Sequence, residues 1–345
     1  MESPTAADPC SFPKRIFLAV TGLSPQIVTE TLYALCVSGK PKFVPTTIHL
    51  ITTAEGANHA ELTLLHPHQG KFAQFCRDFH LDGQIQFQPD HITRLTDAHG
   101  QTLNDIRSEA DNAAAADAIT ELVRTLTSEP DSALHVSLAG GRKTMGFFLA
   151  FALSLYGRPQ DRLSHVLISP EFEGNHQFYY PRPVPEVLFT RDNKPINTAD
   201  AVVSLADIPF VRLRHLLPGQ ALAVRASYSE SVGAANRVFM PPSVLVTLGG
   251  PHPLLQCGGV DIKIPPQEFA FYLWMLRRRL KHSGDGGLVT QHDDFHREFL
   301  SEYGRLIGPM HAHVEKCEER LAGLEDRRHF FQQTKAKINR ALKAA

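Results

Sequence analysis

Residues 137–145 read SLAGGRKTM. An apolar run, ALHVSLAG (133–140), ends there in a small polar step and two glycines. After two cations and a threonine the chain turns apolar again, in KTMGFFLAFALSLYG (143–157). The first segment reads as a buried strand and the second as an apolar helix, which places the glycines at a strand–helix turn. Backbone N–H groups at such a turn approach a ligand closely, and the helix N-terminus beside Arg142 and Lys143 suits an anion. The plainer alternative is that the glycines only tighten the turn while the cations face solvent.

The same alternation runs through the first half of the chain. RIFLAVTG (15–22) is a short apolar strand closed by Gly22. SPQIVTETLYALCVSG (24–39) reads as a helix with Ser24 as N-cap, Pro25 in its first turn and Gly39 as its stop. TTIHLITT (46–53) is a β-branched second strand. Residues 60–80 carry Leu62, Leu65, Phe72, Phe75 and Phe79 at roughly helical spacing, and 104–126 is a helix. LSHVLISP (163–170) and HQFYYP (176–181) complete the series as strands. This order predicts an α/β, Rossmann-like domain with a mostly parallel sheet and helices on both faces. Ligands in such sheets bind beyond the carboxyl ends of the strands. TGLSPQ (21–26) and SLAGGRKT (137–144) then share one edge, and together they frame a pocket. The uncharged donors Thr21, Ser24 and Gln26 favour a ligand there over a bare turn.

Composition bounds the rest. The 345 residues are 43% hydrophobic and 21% charged, ordinary for a soluble globular chain of two domains. No stretch approaches the run of about 18 apolar residues that a membrane span needs. MESPTAADPCSFPKR lacks the charged start and apolar core of a secretion signal, and residues 1–12 read as a disordered leader. The five cysteines, Cys10, Cys36, Cys76, Cys257 and Cys317, are odd in number and scattered, which fits a reduced, cytoplasmic chain without a cysteine metal site. After an α/β domain over 13–220, the proline-rich text from 182 onward runs into a linker expected over 221–237. A smaller α+β domain follows over 238–345. Charge divides along the same line: residues 236–345 hold 16 of the 35 Lys+Arg and 12 of the 36 Asp+Glu, a balance of +4 against −5 for residues 1–235. That bias is compatible with nucleic acid but also with a solvated helical face.

Familiar motifs fail. A Walker loop requires Gly-Lys-Ser/Thr, and Arg142 intervenes between Gly141 and Lys143. TGLSPQ carries only one glycine, so the dinucleotide fingerprint fails too. Of the eighteen histidines, HPH (66–68), QHDDFH (291–296) and HAH (311–313) lack metal-ligand spacing, and no metal is expected. Arg277–His282 has the R-x4-H form of HEPN ribonucleases, but it lies at a basic helix end where Arg and His are ordinary partners of the dipole.

GLSPQIVTETLYAL after the first strand, SLAGGRKTM after a later one and DIPFVRLR (207–214) together resemble the CRISPR-associated Rossmann-fold (CARF) domain family, and within it the ring-nuclease branch. The resemblance covers about residues 13–218. It implies a homodimer that binds cyclic oligoadenylate, the second messenger of type III CRISPR systems, across its two-fold axis. It also implies metal-independent cleavage of the ring, with no cofactor, in which a 2′-hydroxyl attacks the neighbouring phosphorus. On that reading Lys143, Ser24 and Arg142 are the catalytic set. Lys143 follows the moving charge, Ser24 orients a ribose or phosphate oxygen, and Arg142 clamps a phosphate or turns outward into a salt bridge. Thr21, Gly22, Gln26, Thr53, Ser137, Gly140, Gly141 and Thr144 make up the ligand-binding set. VLVTLGG…VDIKIPPQEFAFYLWML resembles the opening of a winged-helix domain, with a recognition helix at about 329–343 offering Arg328, Lys335, Lys337, Arg340 and Lys343. The competing expectation is a non-catalytic regulator in which the messenger gates DNA binding by that helix.

Overall fold

The structure, a computed structural model, describes residues 8–216, 226–237, 241–248, 253–281, 295–309 and 311–344. Contacts divide the chain into two compact units, Met1–Val238 and Phe239–Ala345.

In the first unit, strands β1 (Lys14–Val20), β2 (Thr47–Thr52), β3 (Ile92–Arg94), β4 (Ser132–Ser137) and β5 (Arg162–Ile168) lie parallel in one sheet. A small hairpin, β6 (Val187–Phe189) with β7 (Pro195–Asn197), precedes β8 (Val203–Asp207), which closes the edge antiparallel to β5. The sheet order is β3-β2-β1-β4-β5-β8.

Alternation along β1 explains its central place. Ile16, Leu18 and Val20 point to one face, where they pack with helices α4 (Glu109–Leu126) and α5 (Lys143–Tyr156). Phe17 and Ala19 point to the other, towards α1 (Gln26–Tyr33), α2 (Ala54–Leu64) and α3 (Lys71–Asp78). A strand covered on both faces must be apolar at every position, and Ile16 to Val20 are completely buried. From β1 the chain moves outward one way through β2 and β3, and from β4 the other way to β5. The order therefore reverses between β1 and β4, and the turns after those two strands diverge around a crevice.

Several expected boundaries move for local reasons. Ser24 does not cap α1; the residue before the helix is Pro25, and the Thr21 hydroxyl donates to the Ser24 carbonyl instead. Residues 60–80 form two helices separated around Pro67, which cannot continue a helix. Residues 104–108 stay outside α4, whose capping box is Ser108 with Asp111. HQFYYP is not a strand. Its carbonyls are taken by side chains, Gln26 Nε2 on His176 O and Thr29 Oγ1 on Tyr179 O, while the Tyr180 ring packs edge-on against Phe75. Aromatic β-propensity yields to that packing. Of the expected leader, residues 1–7 lie outside the described residues, and Pro9–Ser11 form a 3-10 turn capped by Asp8. Of the expected linker, residues 221–225 lie outside them too. Tyr228–Arg237 is helix α6, held to the first unit through Tyr228 N on Asp117 and Tyr156 Oη with Ser231.

The second unit opens with a three-stranded antiparallel sheet, β9 (Val244–Thr247), β10 (Leu254–Cys257) and β11 (Val260–Ile262), with β10 in the middle. Helices α7 (Pro266–Lys281), α8 (His296–Ile307), α9 (Ala312–Arg320) and α10 (Leu324–Ala344) follow, around a core of Phe271, Trp274, Phe295, Phe299, Phe330 and Phe331. The expected recognition helix lies within α10. No strand follows it among the described residues.

Gly56, in the first turn of α2, shows how tightly the crevice edge is built. A side chain there would come 2.1 Å from Thr52 Oγ1 and 3.0 Å from the Gly22 carbonyl oxygen. Thr52 Oγ1 in turn donates to the Thr21 carbonyl at 2.6 Å. Alanine would gain about 1 kcal/mol of helix propensity, but the displacement it forces costs about 1–3 kcal/mol. Gly56→Ala is therefore expected to lower stability in urea unfolding, and Gly56→Val to lower it further.

Candidate functional site

The crevice is framed by backbone. After β1, Thr21 is buried, with its N–H donating to Ile51 O at 3.3 Å and its hydroxyl turned inward. Gly22 follows, and a Cβ there would lie 3.6 Å from Gly141 Cα, so the two turns are in contact. Gly140 and Gly141 adopt φ of 97° and 70°, a left-handed conformation that side chains resist. Gly140 has a second reason to be glycine: a Cβ would sit 3.1 Å from both the Val20 carbonyl and Ile27 Cδ1. Helix α5 then begins at Lys143, and no side chain caps its first N–H groups.

The two cations separate. Arg142 is bound on both sides of its fork to Asp105, Nε to Oδ1 at 3.0 Å and Nη2 to Oδ2. That hydrogen bond, reinforced by the Ile106 N–H, holds the Asp105 carboxyl down at about 2. Residues 104–108 stay out of α4 and so deliver Asp105 to the turn. Lys143 is exposed, and it makes no ion pair among the described residues. Ser24 is likewise exposed, with a hydroxyl that makes no hydrogen bond among them. The salt-bridge alternative for Arg142 is the one found, and Lys143 remains as the uncommitted charge.

Beside the turn, a cleft of about 220 Å³ opens between α1, the end of β5 and the loop after β5. Ser24 and Gly140 form its polar rim; Gln26 and Glu30 reach it from α1, and Ile27 and Val166 supply apolar wall. His165, Glu173, Asn175 and His176 line it as well. Glu30 was not legible as a site residue in the sequence. It is 7% exposed, and its carboxyl has no hydrogen bond or ion pair among the described residues. Burial alone pushes it up to about 8. A glutamate one turn after Gln26, on a helix otherwise buried at Val28, Thr29 and Leu32, was the available signal.

The remaining expected site residues divide. Ser137 is fully buried and accepts from Ala139 N at 3.4 Å, shaping the turn from behind. Thr53 caps α2 through Gly56 N at 3.3 Å, at the same sheet edge after β2. Thr144 is exposed on the first turn of α5. The DIPFVRLR segment lies at the opposite edge of the sheet, where the Arg212 guanidinium donates to the carbonyls of Arg158 and Asp161, each at 2.9 Å. It clasps the fold together and does not line the cleft. In the second unit Arg277 pairs with Glu302 at 2.9 Å, while His282 lies outside the described residues.

Glu30 gives stability a sign with pH. The unfolded chain ionises this carboxyl near its ordinary 4.5 and the folded chain near 8, so folding takes up a proton between those values. Glu30's contribution is intact below 4.5 and is lost as pH rises through about 8. Glu30→Gln removes that loss. The variant is expected to melt above the parent protein at about pH 8 by several degrees, with the gap narrowing towards about pH 5, as calorimetry at the two pH values would show.

No curated protein matches the chain. Among solved structures, Enterococcus italicus Csm6, described as bound to cyclic hexa-2′-fluoro-hexa-dAMP, matches at 16% identity with a TM-score of 0.28. The match covers 46% of this chain and 34% of that one, so the chain spans about a third of the Csm6 chain's length. The model of the CRISPR-associated protein NE0113 family matches residues 24–238, from the serine of the first turn through helix α6. This stretch holds the Gly140–Gly141 turn, the cleft and most of the first unit, and the chain belongs to that CRISPR-associated family.

Proposed function

We propose that the chain is a metal-independent ring nuclease that binds cyclic oligoadenylate and cleaves it, ending type III CRISPR signalling. Membership of a CRISPR-associated family supplies the setting. The resemblance of the two turns to CARF domains supplies the ligand class. The observation that carries the reading is the pairing of an uncommitted Lys143 with an uncommitted Ser24 on two glycine turns in contact.

The chemistry asks for little else. A ribose 2′-oxygen attacks the adjacent phosphorus, the bond from phosphorus to the 5′-oxygen breaks, and the proton lost by the 2′-hydroxyl is made good on the 5′-oxygen. The products are a 2′,3′-cyclic phosphate and a 5′-hydroxyl. The protein must hold the oxygen in line and stabilise charge on the phosphoryl and leaving oxygens. Lys143, flexible and at a helix N-terminus, suits the second task. Ser24 suits the first. Arg142, bound to Asp105, acts by fixing the turn. A ring with internal symmetry suits a two-fold homodimer that joins two such crevices. The second unit is read as a winged helix. Exposed Arg328, Lys335, Arg340 and Lys343 on α10 favour the regulator as second reading, in which that helix meets DNA.

Incubation with cyclic tri-, tetra- and hexa-adenylate in EDTA separates the two. Linear products ending in 2′,3′-cyclic phosphate are expected, whereas tight binding without turnover removes the enzyme and leaves the regulator. Lys143→Ala is expected to slow single-turnover cleavage about 10²–10³-fold while the protein stays folded, and Ser24→Ala to slow it less. Gly141→Val, which forces a side chain onto a φ of 70°, is expected to weaken binding itself. Cleavage by Lys143→Ala at the parent rate would remove Lys143 from the chemistry.

A further inference from the structure

The cleft beside the turn has polar chemistry that phosphate binding does not use. Gln26 is 6% exposed and lines it, yet its Oε1 is buried without a hydrogen-bond partner. An unpaired buried acceptor is costly, and it marks a place where a donor belongs. The amide cannot simply be reversed to present its donor. Nε2 donates to the His176 carbonyl at 3.3 Å, and the opposite orientation would set Oε1 against that carbonyl, acceptor facing acceptor. One helical turn on, Glu30 shares the same face of α1, buried and without a hydrogen bond or ion pair among the described residues. The apolar walls are Ile27 and Val166. At about 220 Å³ the cleft is smaller than the roughly 300–1,000 Å³ that encloses a drug-sized ligand. It takes one piece of a larger molecule, and its mouth is shared with Ser24 and Gly140.

We infer that this cleft is a base subsite that selects an amino-purine: Gln26 Oε1 accepts from the exocyclic amine, and the Glu30 carboxyl hydrogen-bonds a ring nitrogen. The inference rests on the cyclic oligoadenylate reading and adds to it the residues that read the base edge. A carboxyl held at about 8 carries its proton at neutral pH, so it has a donor to offer. His165, Glu173 and His176 face the same cleft, and Tyr179 lies close to Glu30. None of them places a cation on the Glu30 carboxyl. A base that carries an oxygen in place of the amine would oppose the fixed Gln26 acceptor with a second acceptor.

The test compares binding of the adenylate ring that the protein prefers with the inosinate ring of the same size, in which each amine is replaced by a carbonyl oxygen. The parent protein is expected to favour adenylate by about 10- to 100-fold. Gln26→Leu should lower the ratio by weakening adenylate alone. Glu30→Leu should weaken adenylate about 10-fold, and Glu30→Gln, which keeps an N–H donor, should recover most of that loss. Both Glu30 variants remove an unpaired buried acid and are expected to fold. Equal binding of the two rings by the parent protein, or an undiminished preference in Gln26→Leu, overturns the base subsite and leaves the ring nuclease standing. If no ring binds at all, both readings fall together.

Discussion

Contact between the backbones of Gly22 and Gly141 is the constraint on which the rest of the first unit turns. Parallel pairing of β1 with β4 brings the two strand ends side by side, and the reversal of strand order sends their helices to opposite faces. A crevice must open between them, and its floor is whatever the two turns present. A side chain at 140 would press on the Val20 carbonyl and Ile27, and one at 141 on Met145. Glycine at both positions lets the turn keep a conformation with positive φ that other residues resist. The apolar layers on either side, built on alternate residues of β1, hold the geometry rigid.

Charge at this edge is sorted by a loop that is not part of it. Asp105 arrives from the irregular stretch before α4 and occupies both arms of the Arg142 fork. An exposed pair of this kind contributes little to stability. Its effect is to fix which of two adjacent cations remains mobile. Arginine suits a planar, bidentate clamp on a carboxylate, while lysine keeps a compact charge on a flexible stem. The order Arg-Lys in GGRKT therefore carries meaning that the reverse order would lose.

Much of this was legible in the residues, and the reasons differ from element to element. Continuous apolar runs such as RIFLAV and ALHVS announce strands buried on both faces, and the Gly-Gly step announces where the chain must turn tightly. The sheet edge shared by TGLSPQ and SLAGGRKT followed from parallel topology alone. HQFYYP misled because its aromatic residues suit a strand, while its backbone carbonyls are claimed by Gln26 and Thr29 from far away in sequence. Ser24 has the chemistry of a helix cap, but the Thr21 hydroxyl and Pro25 settle the turn before it can act as one. DIPFVRLR is a recognisable segment, but its arginines secure backbone at the far edge. Glu30 was easily passed over because a glutamate in an amphipathic helix normally faces water, whereas here it is buried on α1 along with Val28, Thr29 and Leu32.

The bonds from α1 to the loop after β5 join residues 150 positions apart. Neither wall of the cleft exists without the other, so no fragment that stops short of about residue 180 contains it. Closing so long a loop carries an entropic cost that only the completed sheet offsets. The crevice between β1 and β4 draws on residues up to about 144, whereas the cleft beside it also needs the last parallel strand and the loop after it. The two halves of one site therefore answer to different lengths of chain.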